Sequence, residues 1–257
     1  MSTLNNLFQQ AGQQGDLEQD TVDLLMGDDL GADINAALGI SVDDEPVTEA
    51  LLIGVLLDNS VSLAGREPDV RNGCNLLFET LKKSKQVGSM YSHVRLLDGS
   101  VLDAFRKLKD ASVVDSGNYQ ATLSHTPLYE QSFLLLKTVI AKSLEFTSGG
   151  TPARSITVIV TDGANNGRGK SVSEVATLVR DMLRQENHIV AGMGIDDGYT
   201  DFRKVFGDMG IPDKWILTPG NTGHEIRDAF RILSQSAQQA SQSAQSYSRT
   251  AGGGFGA

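Results

Sequence analysis

The chain has 257 residues, of which 40% are hydrophobic and 21% charged, enough for one sizeable packed domain with extra segments or for two small domains. Its single cysteine, Cys74, excludes an intramolecular disulfide and a zinc cluster built on cysteines. The net charge of −10 is concentrated in residues 1–49, which hold eleven acidic residues and no Lys or Arg. This distribution disfavours nucleic acid as a partner, because phosphate binding requires a basic surface.

The sequence also carries information about location. It opens with no basic residue and no apolar run, so we expect no secretory signal. No segment has the roughly 20 apolar residues that a membrane helix requires, so we expect no membrane association. Together with the single cysteine, which suits a reducing compartment, these features predict a soluble, cytoplasmic protein.

The N-terminal part is predicted to be an acidic, partly disordered segment over residues 1–48. Residues 1–15 are polar and rich in Gln and Asn, which is typical of disorder. Helix-start signals indicate two short helices, Val22–Met26 and Ala36–Leu38, neither of which is long enough to be stable without a surface to pack on. Ser41–Pro46 is interpreted as an acidic linker.

From Glu49 onward, apolar runs alternate with segments of helical spacing. Leu51–Leu57 and Ile156–Val160 are unbroken apolar runs, the pattern of strands buried on both faces. The turn residues Asp98-Gly99-Ser100 predict a hairpin. The predicted strands are Leu51–Leu57, Tyr91–Leu97, Val101–Leu108, Ile156–Val160, Ile189–Ile195 and Trp215–Leu217, and the predicted helices are Pro68–Lys85, Leu128–Leu144, Val172–Gln185, Phe202–Met209 and a last one beginning at His224–Leu233.

This alternation predicts an α/β fold, a Rossmann-like three-layer sandwich with helices on both faces of a mostly parallel sheet. The hairpin would add one antiparallel edge strand. The domain would span residues 49–233. In residues 234–257 the motif Ser-Gln-Ser-Ala-Gln occurs twice, seven residues apart, which predicts an extension of the last helix followed by a flexible, Gly-rich tail.

Oxygen-bearing side chains follow two of the buried strands. Asp58, Ser60 and Ser62 come directly after the first strand, and Asp162, followed by Gly163, comes after the strand Ile156–Val160. Ligands of open parallel sheets bind at the carboxyl ends of the strands, so these side chains should face one point. Carboxylates and hydroxyls without His or Cys suit Mg²⁺, with Mn²⁺ or Ca²⁺ as alternatives.

The order and spacing of these residues resemble the metal-ion-dependent adhesion site of von Willebrand factor type A (VWA) domains. The resemblance rests on Asp58-x-Ser60-x-Ser62, on Thr126 before Pro and Leu, and on Thr161-Asp162-Gly163, and it covers about residues 50–233. It implies that Asp58, Ser60, Ser62, Thr126 and Asp162 hold one divalent cation, with each Asp acting as a ligand or through bound water.

The resemblance further implies a non-enzymatic protein-binding module, in which a partner protein supplies a Glu or Asp to the metal. Short intracellular bacterial members, such as those of tellurite-resistance and AAA-ATPase-associated modules, are the most similar in character. An AAA ATPase or a kinase/phosphatase module is therefore a candidate partner. His125 departs from the family, in which small glycines are common at this position. It either crowds the site, contributes to partner selection, or is a loop residue without a role.

Alternatives remain open at this stage. A haloacid-dehalogenase-like phosphohydrolase also places an Asp after its first strand, but it requires a second carboxylate two residues later, and position 60 is Ser. A scaffold with a vestigial metal site is a third alternative. Asn165–Lys170 is interpreted as a flexible loop on the metal rim. Residues 16–46 either dock on the domain near or over the metal, where they would restrain partner access, or form a solvated tail or a docking element for a different protein.

Overall fold

The structure, a computed structural model, describes residues 3–27, 31–44 and 47–256. Residues 45 and 46 of the expected linker lie outside this part of the chain. The strands are β1 Ala50–Leu57, β2 Met90–Leu96, β3 Val101–Lys107, β4 Ala153–Thr161, β5 His188–Gly194 and β6 Ile216–Leu217. The helices are α1 Thr3–Gln14, α2 Gln19–Met26, α3 Gly31–Leu38, α4 Glu67–Lys82, α5 Leu128–Ser148, α6 Val172–Arg184, α7 Phe202–Asp208, α8 Gly223–Ala240 and α9 Ala244–Gly253.

The six strands form one sheet in the order β3-β2-β1-β4-β5-β6. All neighbouring pairs are parallel except β2 and β3, which form the expected antiparallel hairpin at the edge. Every residue of β1 is buried, as its unbroken apolar run predicts. The predicted mostly parallel α/β fold is therefore confirmed.

The layers follow from the direction in which the chain moves along the sheet. The chain passes from β1 through α4 to β2 in one direction, and later returns across β1 through α5 to β4. Because such crossovers are right-handed, α4 and α5 lie on opposite faces. Helix α8 packs against α4, and α6 packs against α5.

The described residues of the N-terminal segment form an ordered layer of the fold. The expectation of disorder is wrong for residues 3–14, because Thr3–Gln14 forms α1, which packs on α5. Every residue of α5 from Gln131 to Leu144 is buried, a pattern that requires cover on all sides of the helix. The sheet covers one side of α5, and α1 and α3 cover another, with Phe8 of α1 fully buried.

The C-terminal segment also differs from the expectation of a flexible tail. Helix α8 continues beyond residue 233 to Ala240, and α9 includes two of the Gly residues that were expected to be flexible. The Tyr247 hydroxyl donates to the main-chain oxygen of Ser155, at the start of β4. Phe255 packs edge-on against Trp215, with the ring centroids 4.8 Å apart. These aromatic contacts hold a segment whose small and amide side chains give no strong apolar stripe.

Among the helices that the structure describes, none combines the length and the apolar character that a bilayer span requires.

Candidate metal centre

The two carboxylates of the predicted site lie at the ends of adjacent parallel strands. Asp58 directly follows β1, and Asp162 directly follows β4. The Asp58 amide donates to the main-chain oxygen of Val160 at 2.9 Å, which extends the pairing of the two strands to this point. Both side chains are buried. The chain changes direction between β1 and β4, which is where ligands bind in open α/β sheets.

A chain of hydroxyl groups connects the residues after β1 to Asp162. The Ser60 and Ser62 hydroxyls lie 2.8 Å apart, and the Ser62 hydroxyl donates to Asp162 Oδ1 at 2.7 Å. Asp58 Oδ1 accepts the Ser60 amide at 2.7 Å, and Asp58 Oδ2 accepts the Thr161 hydroxyl at 2.6 Å. The structure thus brings four of the five predicted residues into one connected cluster.

Thr126, the fifth predicted residue, reaches the site from the segment that leads into α5. A Cβ atom placed on Gly163 would lie 3.6 Å from the Thr126 hydroxyl oxygen, so this hydroxyl borders the residue that follows Asp162. Thr126 is also buried. Three separate segments of the chain, after β1, before α5 and after β4, therefore contribute oxygen atoms to the same edge of the sheet.

The electrostatics of the cluster favour a cation. Burial, together with the nearby Asp58 carboxylate, raises the pKa of Asp162 to about 6, against the hydrogen bond from Ser62, which lowers it. The ionised form of Asp162 therefore carries an electrostatic cost in the folded protein, and a cation bound nearby would reduce that cost. Among the described residues, no three His, Cys, Asp or Glu side chains group together as a metal site. The donor set of two carboxylates and three hydroxyls fits a hard divalent cation.

Sequence reasoning missed Tyr119. Its fully buried hydroxyl donates to the main-chain oxygen of Asp58. Burial raises its pKa well above the usual value, and the charges of Asp58 and Asp162 act in the same direction. No motif marks this residue, because its contact depends on a fold that joins positions 61 residues apart.

The segment around Tyr119 is tied to the loop that follows β1. The amides of Thr122 and Leu123 donate to the main-chain oxygen of Asn59, and the Val61 amide donates to that of Leu123. The side chain of Asn59 in turn donates to Asp98 at 2.8 Å, after β2. These contacts hold the loop that carries Ser60 and Ser62 from both sides.

The remaining rim residues of the sequence analysis have different environments. His125 is exposed, so the structure does not show it crowding the hydroxyls, and a part in partner selection stays a prediction. Asn165 and Asn166 accept hydrogen bonds from main-chain amides at the start of α5. The sequence pattern, which indicated a flexible loop here, did not predict these contacts. Residues 16–27 pack along α6 through Glu18, whose amide donates to Asp181, which contradicts docking over the metal for this part of the segment.

Comparison with known proteins shows similarity in fold. No protein-family model matches the chain, and no curated protein matches its sequence. The pilus adhesin SpaC from Lactobacillus rhamnosus GG is 14% identical with a TM-score of 0.54, and the match covers 76% of this chain and 30% of that one. Proximal thread matrix protein 1 from the mussel byssus is 17% identical with a TM-score of 0.50, covering 72% and 47%.

A third structure, the VWA domain of SpRpn10, is 10% identical and covers 71% of this chain and 93% of that one, with a TM-score of 0.46 that supports no inference by itself. This chain spans less than half the length of the first two matched chains. At such identities the likeness shows the fold alone. The chain has a Rossmann-like α/β fold that is similar to the folds found in the pilus adhesin and the thread matrix protein.

Proposed function

We propose that this protein is a non-enzymatic, metal-dependent protein-binding module. Asp58, Ser60, Ser62, Thr126 and Asp162 would hold one divalent cation, Mg²⁺ first, with Mn²⁺ or Ca²⁺ as alternatives. The observation that carries the proposal is the cluster of oxygen atoms itself, which the Ser62–Asp162 hydrogen bond joins across 100 positions of the sequence. When bound, the cation would supply a Lewis-acidic position for an anionic ligand.

The charge of the site supports an acidic ligand from the partner. Three of the five proposed ligands are neutral hydroxyls, and both Asp58 oxygens already accept hydrogen bonds from within the protein. With both carboxylates ionised, the site carries no surplus negative charge over a divalent ion, and five side chains supply fewer oxygen ligands than the roughly six that such an ion takes. A Glu or Asp side chain of the partner would therefore complete its ligands.

The surface beside the site supports contact with a protein. Tyr199 is 97% exposed, in the loop after β5, and Val61 is 52% exposed, between Ser60 and Ser62. The Asp197 carboxylate accepts hydrogen bonds from the amides of Tyr199 and Thr200 and from the Thr200 hydroxyl, which fixes the loop that presents Tyr199. Tyrosine is among the residue types that most often dominate binding at protein interfaces.

The phosphohydrolase alternative lacks its acid. Position 60, two residues after Asp58, carries a Ser whose hydroxyl lies 2.8 Å from that of Ser62. A carboxylic acid would be required there to protonate the leaving group. Two of the solved structures with a similar fold are an adhesin and a thread matrix protein, which supports a binding function.

The proposal also covers the cellular compartment of the protein and the kind of partner that it binds. We propose a cytoplasmic, bacterial protein whose partner belongs to an AAA-ATPase or kinase/phosphatase module, supported by the sequence resemblance. The single cysteine, Cys74, is fully buried, and burial raises the pKa of its thiol to about 12, so it is an unreactive residue of the core.

Titration calorimetry with Mn²⁺ tests the metal site directly. The native protein should bind one equivalent, and Asp58→Ala should abolish binding while the far-ultraviolet circular dichroism stays that of a folded protein. Mg²⁺ should raise the melting temperature relative to EDTA, because a ligand that binds only the folded state stabilises it, and Zn²⁺ should have no specific effect. Identical melting curves in EDTA and in saturating Mg²⁺ would contradict the proposal.

Partner binding requires a separate measurement. Immobilised native protein should retain one protein from a bacterial extract in Mg²⁺ and release it in EDTA, and Asp58→Ala should retain none. Tyr199→Ser should weaken retention without changing the affinity for Mn²⁺, because Tyr199 lies outside the proposed ligand set. Retention that is indifferent to EDTA would leave a scaffold with a vestigial metal site as the better description.

A further inference from the structure

The segment Asn165–Gly167 lies against the start of α5, where it contacts Thr126. We refer to it as the 165–167 clamp. It begins only three residues after Asp162, one proposed ligand, and it contacts Thr126, another proposed ligand. The loop thus connects two parts of the site that are separated by more than thirty residues in the sequence.

Asn166 makes the closest contacts of the clamp. Its side-chain Oδ1 accepts the Thr126 amide at 2.5 Å, and its own amide donates to the main-chain oxygen of Thr126 at 3.1 Å. The Gly167 amide donates to the same oxygen at 3.2 Å. Both main-chain polar groups of Thr126 are therefore satisfied by the clamp, which fixes the position of its Cα and the direction of its Cα–Cβ bond.

Asn165 stabilises the first turn of α5. Pro127 stands at the N-cap position, where it has no side-chain oxygen to accept a free amide of the first turn. Asn165 Oδ1 accepts the Tyr129 amide at 3.2 Å instead. This contact attaches the beginning of the helix to the same loop that holds Thr126.

Gly167 allows the backbone of the clamp to lie close against the backbone of Pro127. A Cβ atom at this position would lie 2.4 Å from the Cα of Pro127, a distance that main-chain atoms cannot accommodate without moving. The clamp therefore has its backbone against that of the segment entering α5. A flexible rim loop would not require such an approach.

The other side of the site is held independently. The segment before Thr126 is tied to the loop after β1 through Leu123, which pairs with Ser60 and Val61. The position of Thr126 relative to Asp162, by contrast, is held by the clamp, since the Thr126 amide donates to Asn166 Oδ1 and the Thr126 main-chain oxygen accepts the amides of Asn166 and Gly167.

We propose that Asn166 is a positioning residue that sets the place of the Thr126 hydroxyl relative to Asp162, and thereby the affinity of the site for its divalent cation. The inference rests on the proposed function, because it assigns a role toward the same ion. Outer residues that orient metal ligands typically change metal affinity by about 10- to 100-fold when they are replaced.

Asn75 offers a matched control. Like Asn166, it accepts a main-chain amide through its side-chain Oδ1, that of Val114 at 2.9 Å, and its Nδ2 also donates to the Val114 oxygen at 2.9 Å. Asn166→Ala and Asn75→Ala therefore both remove a hydrogen bond from a side-chain oxygen to a main-chain amide, and Asn75→Ala removes one hydrogen bond more, which makes it the more demanding control. Only the first lies between two of the proposed ligands.

The experiment compares native protein, Asn166→Ala, Asn75→Ala and Asn166→Asp by Mn²⁺ calorimetry and by amide hydrogen exchange in EDTA. Asn166→Ala should weaken Mn²⁺ binding about 10- to 100-fold and speed exchange of the Thr126 amide without metal, whereas Asn75→Ala should leave both unchanged. Asn166→Asp keeps the acceptor and should retain slow exchange at Thr126 and an affinity at least equal to that of the native protein.

The outcomes separate this inference from the function on which it rests. Native protein that binds Mn²⁺ together with an Asn166→Ala variant of equal affinity would overturn the positioning role and leave the proposed function intact. Equal weakening in Asn75→Ala would also overturn it, because the effect would then follow from general loosening. Native protein without Mn²⁺ binding would overturn both.

Discussion

The Ser62 hydroxyl donates to Asp162 Oδ1 at 2.7 Å, and the two residues come from the ends of adjacent strands. A hydroxyl that donates its proton to a carboxylate keeps its lone pairs available to a cation. The contact therefore orients Ser62 without removing its capacity to act as a ligand. It also stabilises the ionised Asp162 carboxylate, although not enough to offset burial and the nearby Asp58, since the pKa of Asp162 stays raised to about 6.

Asp162→Asn is expected to stabilise the metal-free protein and to abolish its response to metal. At pH 7 the Asp162 carboxyl is ionised although its pKa is raised to about 6, so the folded state bears an electrostatic cost that a neutral amide removes. Melting curves in EDTA and in Mg²⁺ measure both effects. The exposed Asp110 provides a control, since Asp110→Asn should change neither. A variant that unfolds in EDTA would show that Asp162 has a structural role.

Phe8→Ala is expected to destabilise the whole domain. Phe8 is fully buried where α1 covers α5, and loss of a buried Phe side chain costs about 3–5 kcal/mol of unfolding free energy. Urea unfolding followed by circular dichroism measures the change. Gln10, which is exposed on the same helix, should give an unchanged midpoint when replaced by Ala. Equal midpoints for the two variants would mean that α1 does not contribute to the fold.

Acid is expected to destabilise the protein in part through His93. Burial, reinforced by the charge of Arg95, lowers the pKa of His93 to about 3. In the unfolded chain the same imidazole titrates near 6.5, so below that pH the unfolded state binds a proton that the folded state cannot. Its contribution to stability is complete above pH 6.5 and is lost as the pH falls towards 3.

His93→Phe should flatten this dependence. The ring of His93 already packs against that of Phe105, with the centroids 5.2 Å apart, so an aromatic replacement preserves the contact. Between pH 7 and pH 5 the native protein should lose about 2 kcal/mol more unfolding free energy than the variant. Urea titrations at the two pH values test this, and parallel losses would exclude His93 as a source.

Tyr247→Phe is expected to weaken the attachment of α9. The hydroxyl is buried and lies 2.9 Å from the main-chain oxygen of Asn187 while donating to that of Ser155. Loss of a buried hydrogen bond of this kind costs about 1–3 kcal/mol. The change should appear in urea unfolding and as faster amide exchange in α9. Tyr199→Phe removes a hydroxyl from an exposed ring and should leave both unchanged.

Local pattern was sufficient for the framework of the fold. The apolar runs in β1 and β4 predict strands buried on both faces, and the turn at Asp98-Gly99 predicts the hairpin; both are confirmed. The residues of the metal centre could be predicted for the same reason, because parallel strands place the side chains at their carboxyl ends on one edge. Their assignment as metal ligands stays a prediction.

Local pattern could not predict that the two terminal segments are folded. The amide-rich composition of residues 3–14 is typical of disorder, yet Phe8 has a surface on α5 that only the folded domain provides. Tyr247 likewise fixes α9 through the oxygen atoms of two strand ends. A marginal helix forms when tertiary burial offsets its conformational entropy, and that burial does not appear in local composition.

The sequence by itself thus determined the strands, the edge of the sheet that bears the oxygen atoms and the chemical type of those atoms, since all three depend on residue type and short-range spacing. Only the tertiary structure decided how Thr126 is held, through Asn166, and how the loop of Asp58 is held, through Tyr119. These contacts join main-chain atoms to side chains 40 and 61 positions away. Such pairings depend on how whole helices and strands pack together, and the residue types near each position in the sequence do not indicate that packing.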